Sequence, residues 1–338
     1  MTVPVIAFFN NKGGVGKTSL VYHVAWMYTK LGLRIVVADL DPQSNLTAGF
    51  VEEDRLEELW ANDSRPDTIY GAIHPLLAGI GDIAEAHLEE IDERIALVPG
   101  DLWLSGFEDE LSEQWTNCLD GKERAFRITS AFWRIVQSAA QRFQGDLVLL
   151  DLGPNLGSIN RAALVATTFV VVPLSPDLFS LQGLRNLGPT LREWRSAWTK
   201  RLGENRHPSL LLPAGEMRPA GYVVLQHSER LDRPVAAYQK WITRIPAIYK
   251  EAVLAQPSED ISSPAEDENC LALIKHYRSL IPMAQEARKP IFDLKPADGA
   301  IGAHYSAVRE AYKHFKKLAE AIAFNCGISL PREESATY

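Results

Sequence analysis

The sequence predicts an α/β fold, a doubly wound and mostly parallel sheet flanked by helices, and three observations carry that reading. Short, nearly continuous apolar runs recur along the chain. Stretches with three- and four-residue apolar steps alternate with them, and glycine-rich or polar turns mark the joints. The 338 residues are 46% hydrophobic and 23% charged, enough apolar material for a large core and too much for a wholly disordered chain. Lys+Arg 35 against Asp+Glu 43 leaves a net charge of −8, so any contact with nucleic acid must come from a local patch. Cys118, Cys270 and Cys326 are odd in number, widely spaced and without a C-x-x-C pair, which argues against a disulfide framework or zinc site and suits a reducing cytosol. No apolar stretch reaches the roughly 18 residues of a membrane span. Met1 to Asn10 has no cationic segment before its apolar run, so no signal peptide is expected.

In chain order, Val3 to Phe9 is apolar on both faces, as in a central parallel strand, and Asn10-Asn11 and a glycine-rich turn end it. From Thr18 to Leu31 the residues Leu20, Val21, Val24, Ala25, Met27, Tyr28 and Leu31 recur at helical steps, and Gly32 stops the helix. Leu33 to Asp39 supplies the next strand, completing a right-handed βαβ unit. Six acids and one arginine between Glu52 and Asp63, and six more acids from Asp82 to Glu93, suggest an acidic insert near 52–94 with a solvated face. Strands follow over Ile95–Pro99, Leu147–Leu150, Phe169–Leu174 and Tyr222–Leu225, with a helix over Ala125–Phe143. Polar, proline-punctuated Pro257 to Asn269 is expected as an exposed loop within a long segment from Ser228 to Pro282. A last helix over Ala303–Phe324 carries the apolar stripe Tyr305, Val308, Tyr312, Phe315, Ala319 and Ile322. Residues 1–326 read as one domain and 327–338 as a tail that frays from Leu330.

The sharpest feature is Lys12-Gly13-Gly14-Val15-Gly16-Lys17-Thr18. It matches the second half of the phosphate-loop pattern G-x-x-x-x-G-K-[ST], with Asn11 where the first glycine would stand. Glycines let the backbone turn its N–H groups toward phosphate oxygens, and the helix starting near Thr18 adds the positive end of its dipole. Lys17 would reach the β- and γ-phosphates and the Thr18 hydroxyl would ligate Mg²⁺. The strand before the turn and the helix after it are the context that the pattern needs; the plainer alternative is a tight turn with a chance Lys-Thr pair.

A second lysine early in this loop resembles the deviant Walker A subclass of P-loop ATPases, the ParA/MinD family, and ParA-type partitioning ATPases most closely. Further landmarks of the resemblance are Asp39-Leu40-Asp41-Pro42-Gln43, Leu149-Leu150-Asp151-Leu152-Gly153-Pro154-Asn155, Val171-Val172-Pro173-Leu174-Ser175-Pro176 and Ala287-Arg288-Lys289-Pro290-Ile291-Phe292. It implies ATP and Mg²⁺ bound along Asn11, Lys12, Gly13, Gly14, Val15, Gly16, Lys17, Thr18 and Ser19. It implies also that Lys12 crosses to the nucleotide of a second subunit, although Lys12 could contact its own phosphates or solvent. The resemblance assigns Asp41, just past a strand end, as the carboxylate that orients the attacking water and shares the metal site; a loop or cap aspartate is the alternative. Asp151 ends an apolar strand and would hold Mg²⁺ through water, against the alternative of a capping residue. Gly153 stands where the family often has a second proline. Gln226 is near the place of the family's adenine-contacting amide, and an ordinary strand-end glutamine is the equal alternative.

The resemblance further implies an ATP-dependent homodimer that binds DNA without sequence preference. It would position a plasmid, chromosome or other cargo, with hydrolysis slow, stimulated by a partner protein and resetting the dimer. The protein would be cytoplasmic, with nucleoid association. Arg185, Arg192 and Arg195 on a helix after Ser180 lie within a segment of six bases and two acids from Arg185 to Arg206, and Arg309, Lys313, Lys316 and Lys317 share a flank of the last helix. These groups could neutralise phosphates or be solvated helix faces. The alternative function is an ATP-gated regulatory or scaffold protein acting on a protein partner without DNA transport. The chain end, with Pro331, Glu333 and Glu334, does not resemble a lipid-anchoring helix, so no membrane partner is expected. The scattered cysteines do not suit an iron–sulfur relative of the same loop.

Overall fold

The computed structural model describes residues 2–62, 64–227, 240–257, 263–277 and 279–331, with the side chains of residues 226 and 227 left aside. Eight strands form one sheet: β1 (Val5–Phe8), β2 (Ile35–Asp39), β3 (Glu89–Asp92), β4 (Ile95–Val98), β5 (Leu147–Asp151), β6 (Phe169–Leu174), β7 (Arg218–His227) and β8 (Cys270–Lys275). Their order across the sheet is β3-β4-β2-β5-β1-β6-β7-β8. Every neighbouring pair is parallel except β3 with β4 at one edge.

Each central strand feeds two cores by alternation. In β1, Val5 and Ala7 face one layer and Ile6 and Phe8 the other; Val148 and Leu150 oppose Leu147 and Leu149 in the same way. Covered on both sides, these strands have no polar face, which is why they read as continuous apolar runs. The first layer packs α4 (Ile69–Leu77), α5 (Glu108–Asn117), α6 (Glu123–Thr129), α7 (Ala131–Phe143), α8 (Ser158–Val165) and α9 (Leu178–Glu204). The second packs α1 (Lys17–Lys30), α2 (Asn45–Phe50), α3 (Glu53–Ala61), the helix Leu280–Ala287 and the C-terminal helix Ala303–Cys326.

The connection β1–α1–β2 crosses β5 with its helix in the second layer. The connection β5–α8–β6 crosses β1 in the opposite direction with its helix in the first layer. Two right-handed crossovers that diverge in this way open a crevice at the carboxyl ends of β1 and β5, the topological switch point of an open α/β sheet.

Several expectations need correction. The helix expected over Ala125–Phe143 is two helices, α6 and α7, broken at Ser130, whose hydroxyl bonds back to the Phe126 carbonyl at 2.6 Å. In the C-terminal helix, Tyr305 and Tyr312 stand exposed; the buried stripe runs through Val308, Ala311, Phe315, Leu318 and Ile322. Within the segment expected as an exposed loop, residues 258–262 lie outside the described residues, while Pro264 and Asp267 are buried and Asp267 accepts a hydrogen bond from the Tyr222 hydroxyl at 2.8 Å. The acidic stretch is not only a solvated face: Glu89 pairs with Arg55, and Asp82 pairs with Arg127 and Arg134. Ile242, Ile245, Ile248, Tyr249 and Val253 join the first core from the long segment after β7.

One close approach is between α9 and that segment. A Cβ on Gly188 would stand 1.9 Å from the Ala252 carbonyl oxygen, whereas one on Gly203, on the same helix, would meet nothing within 4 Å. Gly188→Ala should therefore destabilise the fold by about 2 kcal/mol or more. Gly203→Ala should stabilise it by about 0.5–1 kcal/mol, and urea midpoints of the two variants against the parent check the opposite signs.

Candidate functional site

The loop between β1 and α1 is tied at both ends. The Asn10 side chain donates to the Pro173 carbonyl at 2.7 Å and accepts from the Lys12 backbone N–H at 3.0 Å, fixing the turn against the end of β6. Gly14 and Gly16 take φ of 70° and 86°, the left-handed region that favours glycine. Gly16 precedes α1 with no side-chain cap, and the first turn of α1 has no acid, so its N–H groups remain available to an anion. The Lys17 ammonium folds back under the loop and donates to the carbonyls of Asn10 and Lys12, both at 3.2 Å. Burial holds its pKa below the ordinary lysine value, against the pull of Asp151 and Asp41.

Two aspartates, Asp151 and Asp41, act on this ammonium from the neighbouring strand ends. Asp151, in register with Phe8 of β1 and Asp39 of β2, is fully buried, and neither carboxylate oxygen has a well-formed hydrogen bond. Its pKa is raised well above the carboxylate range, by burial first and by Asp39 second, with Thr18 and Lys17 opposing. Asp41 is buried and accepts from the Gln43 N–H at 3.0 Å; a Cβ on Gly153 would stand 3.3 Å from its Oδ1, so it faces the loop that follows Asp151.

Asp39 was not singled out by sequence reasoning. It accepts from the Thr47 N–H and hydroxyl, both at 2.8 Å, and from the Asp41 N–H at 3.3 Å. Burial lifts it to about 7 against those hydrogen bonds. Gly100 closes the clasp: its N–H donates to Thr47 Oγ1 at 2.8 Å, and a Cβ there would stand 2.9 Å from the Asp39 carboxyl carbon. A second acid two residues before Asp41, inside a strand buried on both faces, was the available signal.

The loop after Asp151 is held from below. Asn160 Nδ2 reaches the carbonyls of Gly153 and Asn155 at 2.8 and 2.7 Å, and the Glu108 carboxylate accepts from the Ser158 N–H and, at 2.9 Å, from the Ile159 N–H. Between these loops and the second layer lies a cavity of about 760 Å³. Gly13 to Ser19, Asp41 and Pro154 line it together with the apolar side chains of Leu225, Ile274, Tyr277 and Ile281. Among the described residues no three His, Cys, Asp or Glu form a ready metal cage. The orphaned oxygens of Asp151 beside the Thr18 hydroxyl fit a hard cation that takes few protein oxygens and completes its shell with water and phosphate.

The Lys12 ammonium pairs with Asp177 of the same chain. Gln226 belongs to the end of β7, and its side chain lies outside the described residues. The basic groups divide. Arg192 donates to the carbonyls of Ala252 and Val253 at 2.6 and 3.1 Å, and Arg195 donates to that of Met217 at 2.6 Å, so both guanidinium groups serve internal contacts. Arg185, Arg309, Lys313 and Lys317 are exposed, and Lys316 stands 4.0 Å from Glu320. The three cysteines are free, and no helix of the described residues is long and apolar enough to cross a membrane.

The profile of the AAA_31 family, an AAA domain, matches residues 3–203. The sporulation initiation inhibitor protein Soj of Bacillus subtilis is 27% identical over 189 residues, 56% of this chain and 64% of that protein. The chromosome-partitioning ATPase Soj of Thermus thermophilus is 32% identical over 198 residues, 58% of this chain and 65% of that protein. The matched region thus spans just under two thirds of the length of these curated relatives. Among solved structures, protein DIP2308 of Corynebacterium diphtheriae superposes with a TM-score of 0.68 at 22% identity, covering 96% of this chain and 99% of that one. A plasmid partition protein of Borrelia burgdorferi bound to AMPPNP gives a TM-score of 0.58 at 16% identity over 95% and 99% of the two chains. At such identities the likeness establishes the fold.

His23, on the α1 face toward the cavity, is fully buried. Its Nδ1 bonds the Ser19 carbonyl at 2.6 Å, and its Nε2 accepts from the Ile291 N–H at 3.1 Å, so the ring is neutral. Burial lowers its pKa from 6.5 to about 4. Because the folded value lies below the unfolded one, this contribution to stability is complete above pH about 6.5 and is lost as pH falls toward 4. Relative to a His23→Gln variant, the parent should lose about 2 kcal/mol of unfolding free energy between pH 7 and pH 5, measured by urea titration at each pH.

Proposed function

The chain belongs to the AAA-domain family of ParA-type partitioning P-loop ATPases, and from that premise we propose that it is an ATP-dependent switch that dimerises over nucleotide, binds DNA without sequence preference and positions a cargo on it. The observation that carries the reading is the joint burial of Lys17 and Asp151 on either side of an uncapped helix start. An ammonium hydrogen-bonded to two loop carbonyls and a buried carboxylate whose oxygens have no well-formed hydrogen bond suit a polyphosphate and its cation.

In this reading the N–H groups from Gly13 to Thr18 hold the phosphates and Lys17 moves from the loop carbonyls to the β- and γ-oxygens. Thr18 and Asp151 would hold Mg²⁺, with Asp41 at its margin; when bound, the ion supplies charge neutralisation at the phosphate oxygens. Asp41 orients water for hydrolysis, and the loop tied down by Asn160 senses whether the γ-phosphate is present. The apolar side chains lining the cavity take the adenine ring. The early lysine makes this loop the deviant Walker A variant. Basal turnover is slow and a partner protein raises it, so that hydrolysis times the return to the monomer. The site of action is the cytoplasm, on nucleoid DNA.

Lys17→Ala should lower affinity for a fluorescent ATP analogue by about 100-fold or more, because a buried cation facing the phosphates is removed. Asp41→Ala should keep that affinity, slow phosphate release by about 100-fold and accumulate dimer in sedimentation. Parent-like hydrolysis by Asp41→Ala would remove its assigned role. Shift of unrelated duplex DNA should appear only with ATP and weaken steeply between 50 and 200 mM salt; Lys313→Glu with Lys317→Glu should abolish it. Absence of any shift at low salt would favour a switch that acts on a protein partner alone.

A further inference from the structure

We propose that Asp177 is a positioning residue that holds Lys12 within its own protomer and has to release it before two protomers can close over nucleotide. This rests on the dimerising switch proposed above and adds its restraint.

The Asp177 carboxylate has two separate duties. Its Oδ2 pairs with the Lys12 ammonium, and its Oδ1 accepts from the Ser180 N–H at 2.9 Å as the N-cap of α9. The turn that carries it is braced: the Asp177 N–H donates to the Ser175 carbonyl at 2.8 Å, and the Ser175 N–H donates to Ser180 Oγ at 3.1 Å. The loop that carries Lys12 is braced as well, through Asn10 to the Pro173 carbonyl two residues before Ser175. Between two fixed backbones, the lysine side chain is the part free to swing. Asp177 keeps it turned toward the turn that follows β6.

The strength of the pair suits a restraint. The two side chains remain 27% and 35% exposed, so water screens their attraction. A pair of this kind shifts an equilibrium by about threefold, a bias that a triphosphate with several negative charges can override. A symmetric dimer opens two such pairs, which makes the effect on dimerisation about tenfold. Asp177 therefore contributes no energy to the closed state in this scheme; it sets how much nucleotide-derived energy closure requires.

Asp177→Asn keeps an N-cap for α9 and removes the charge, and Asp177→Glu restores the charge. Two measurements on the full chain separate the steps, with urea midpoints confirming that both variants fold. In nucleotide-free protein, the acylation rate of Lys12, read by competitive labelling and mass spectrometry, should rise about threefold in Asp177→Asn and return toward the parent in Asp177→Glu. With ATPγS at saturation, the dimerisation constant from sedimentation should strengthen about tenfold in Asp177→Asn and return in Asp177→Glu. Unchanged Lys12 reactivity in Asp177→Asn overturns the pairing. Raised reactivity with an unchanged or weaker dimer overturns the restraint. A parent and variants that all stay monomeric with ATPγS would place the failure in the dimer reading and remove the restraint with it, while the labelling would still report whether Asp177 holds Lys12.

Discussion

Burying a carboxylate costs several kcal/mol unless charge or hydrogen bonds compensate it, and this protein buries three aspartates at and just past the ends of β2 and β5, two of them acting on one buried ammonium. Each meets the cost differently. Asp39 accepts three hydrogen bonds from Thr47 and Asp41, Asp41 closes a turn with Gln43, and Asp151 has no well-formed bond and stands well above its ordinary pKa. The Lys17 ammonium, acted on by Asp151 and Asp41, itself sits below its ordinary pKa because burial outweighs them. Burial thus disfavours the charged forms of Lys17 and Asp151 together, beside the phosphate loop. The rest of the structure serves this arrangement by keeping the strand ends in register and water out.

The surrounding ties are made largely by neutral amides and backbone groups. Asn10 binds the phosphate loop to the end of β6, and Asn160 binds the loop after Asp151 to α8. Glu108 caps the start of α8, which fixes where that loop ends. An amide holds a loop without adding charge to a site already crowded with it. The switch-point geometry accounts for the rest: α1 and α8 leave the sheet on opposite faces, and the loops before them converge where the crevice opens.

Charge on the outer surface follows another logic. The chain is acidic overall, yet Arg185, Arg309, Lys313 and Lys317 stand exposed on helices. Arg192 and Arg195, three residues apart on α9, instead satisfy carbonyls at the ends of neighbouring segments. From sequence the two kinds of arginine look the same, because helical spacing places a residue on a flank but says nothing about which carbonyl lies within reach of that flank.

Local chemistry alone determined the parallel α/β class, the strand–loop–helix unit at Lys12 to Thr18 and the strand-end position of Asp41 and Asp151, because hydrophobic period, glycine conformation and helix starts act over a few neighbouring residues. Strand β8 escaped notice because it is a half-buried edge strand directly after a polar stretch, and the break at Ser130 because apolar residues continue through it. The clasp of Asp39, Thr47 and Gly100, the burial of Asp267 against Tyr222 and the pairing of Lys12 with Asp177 join residues 8 to 165 positions apart. Only the packed sheet decided those, since the energy of a buried charge depends on which groups the fold brings within about 3 Å of it.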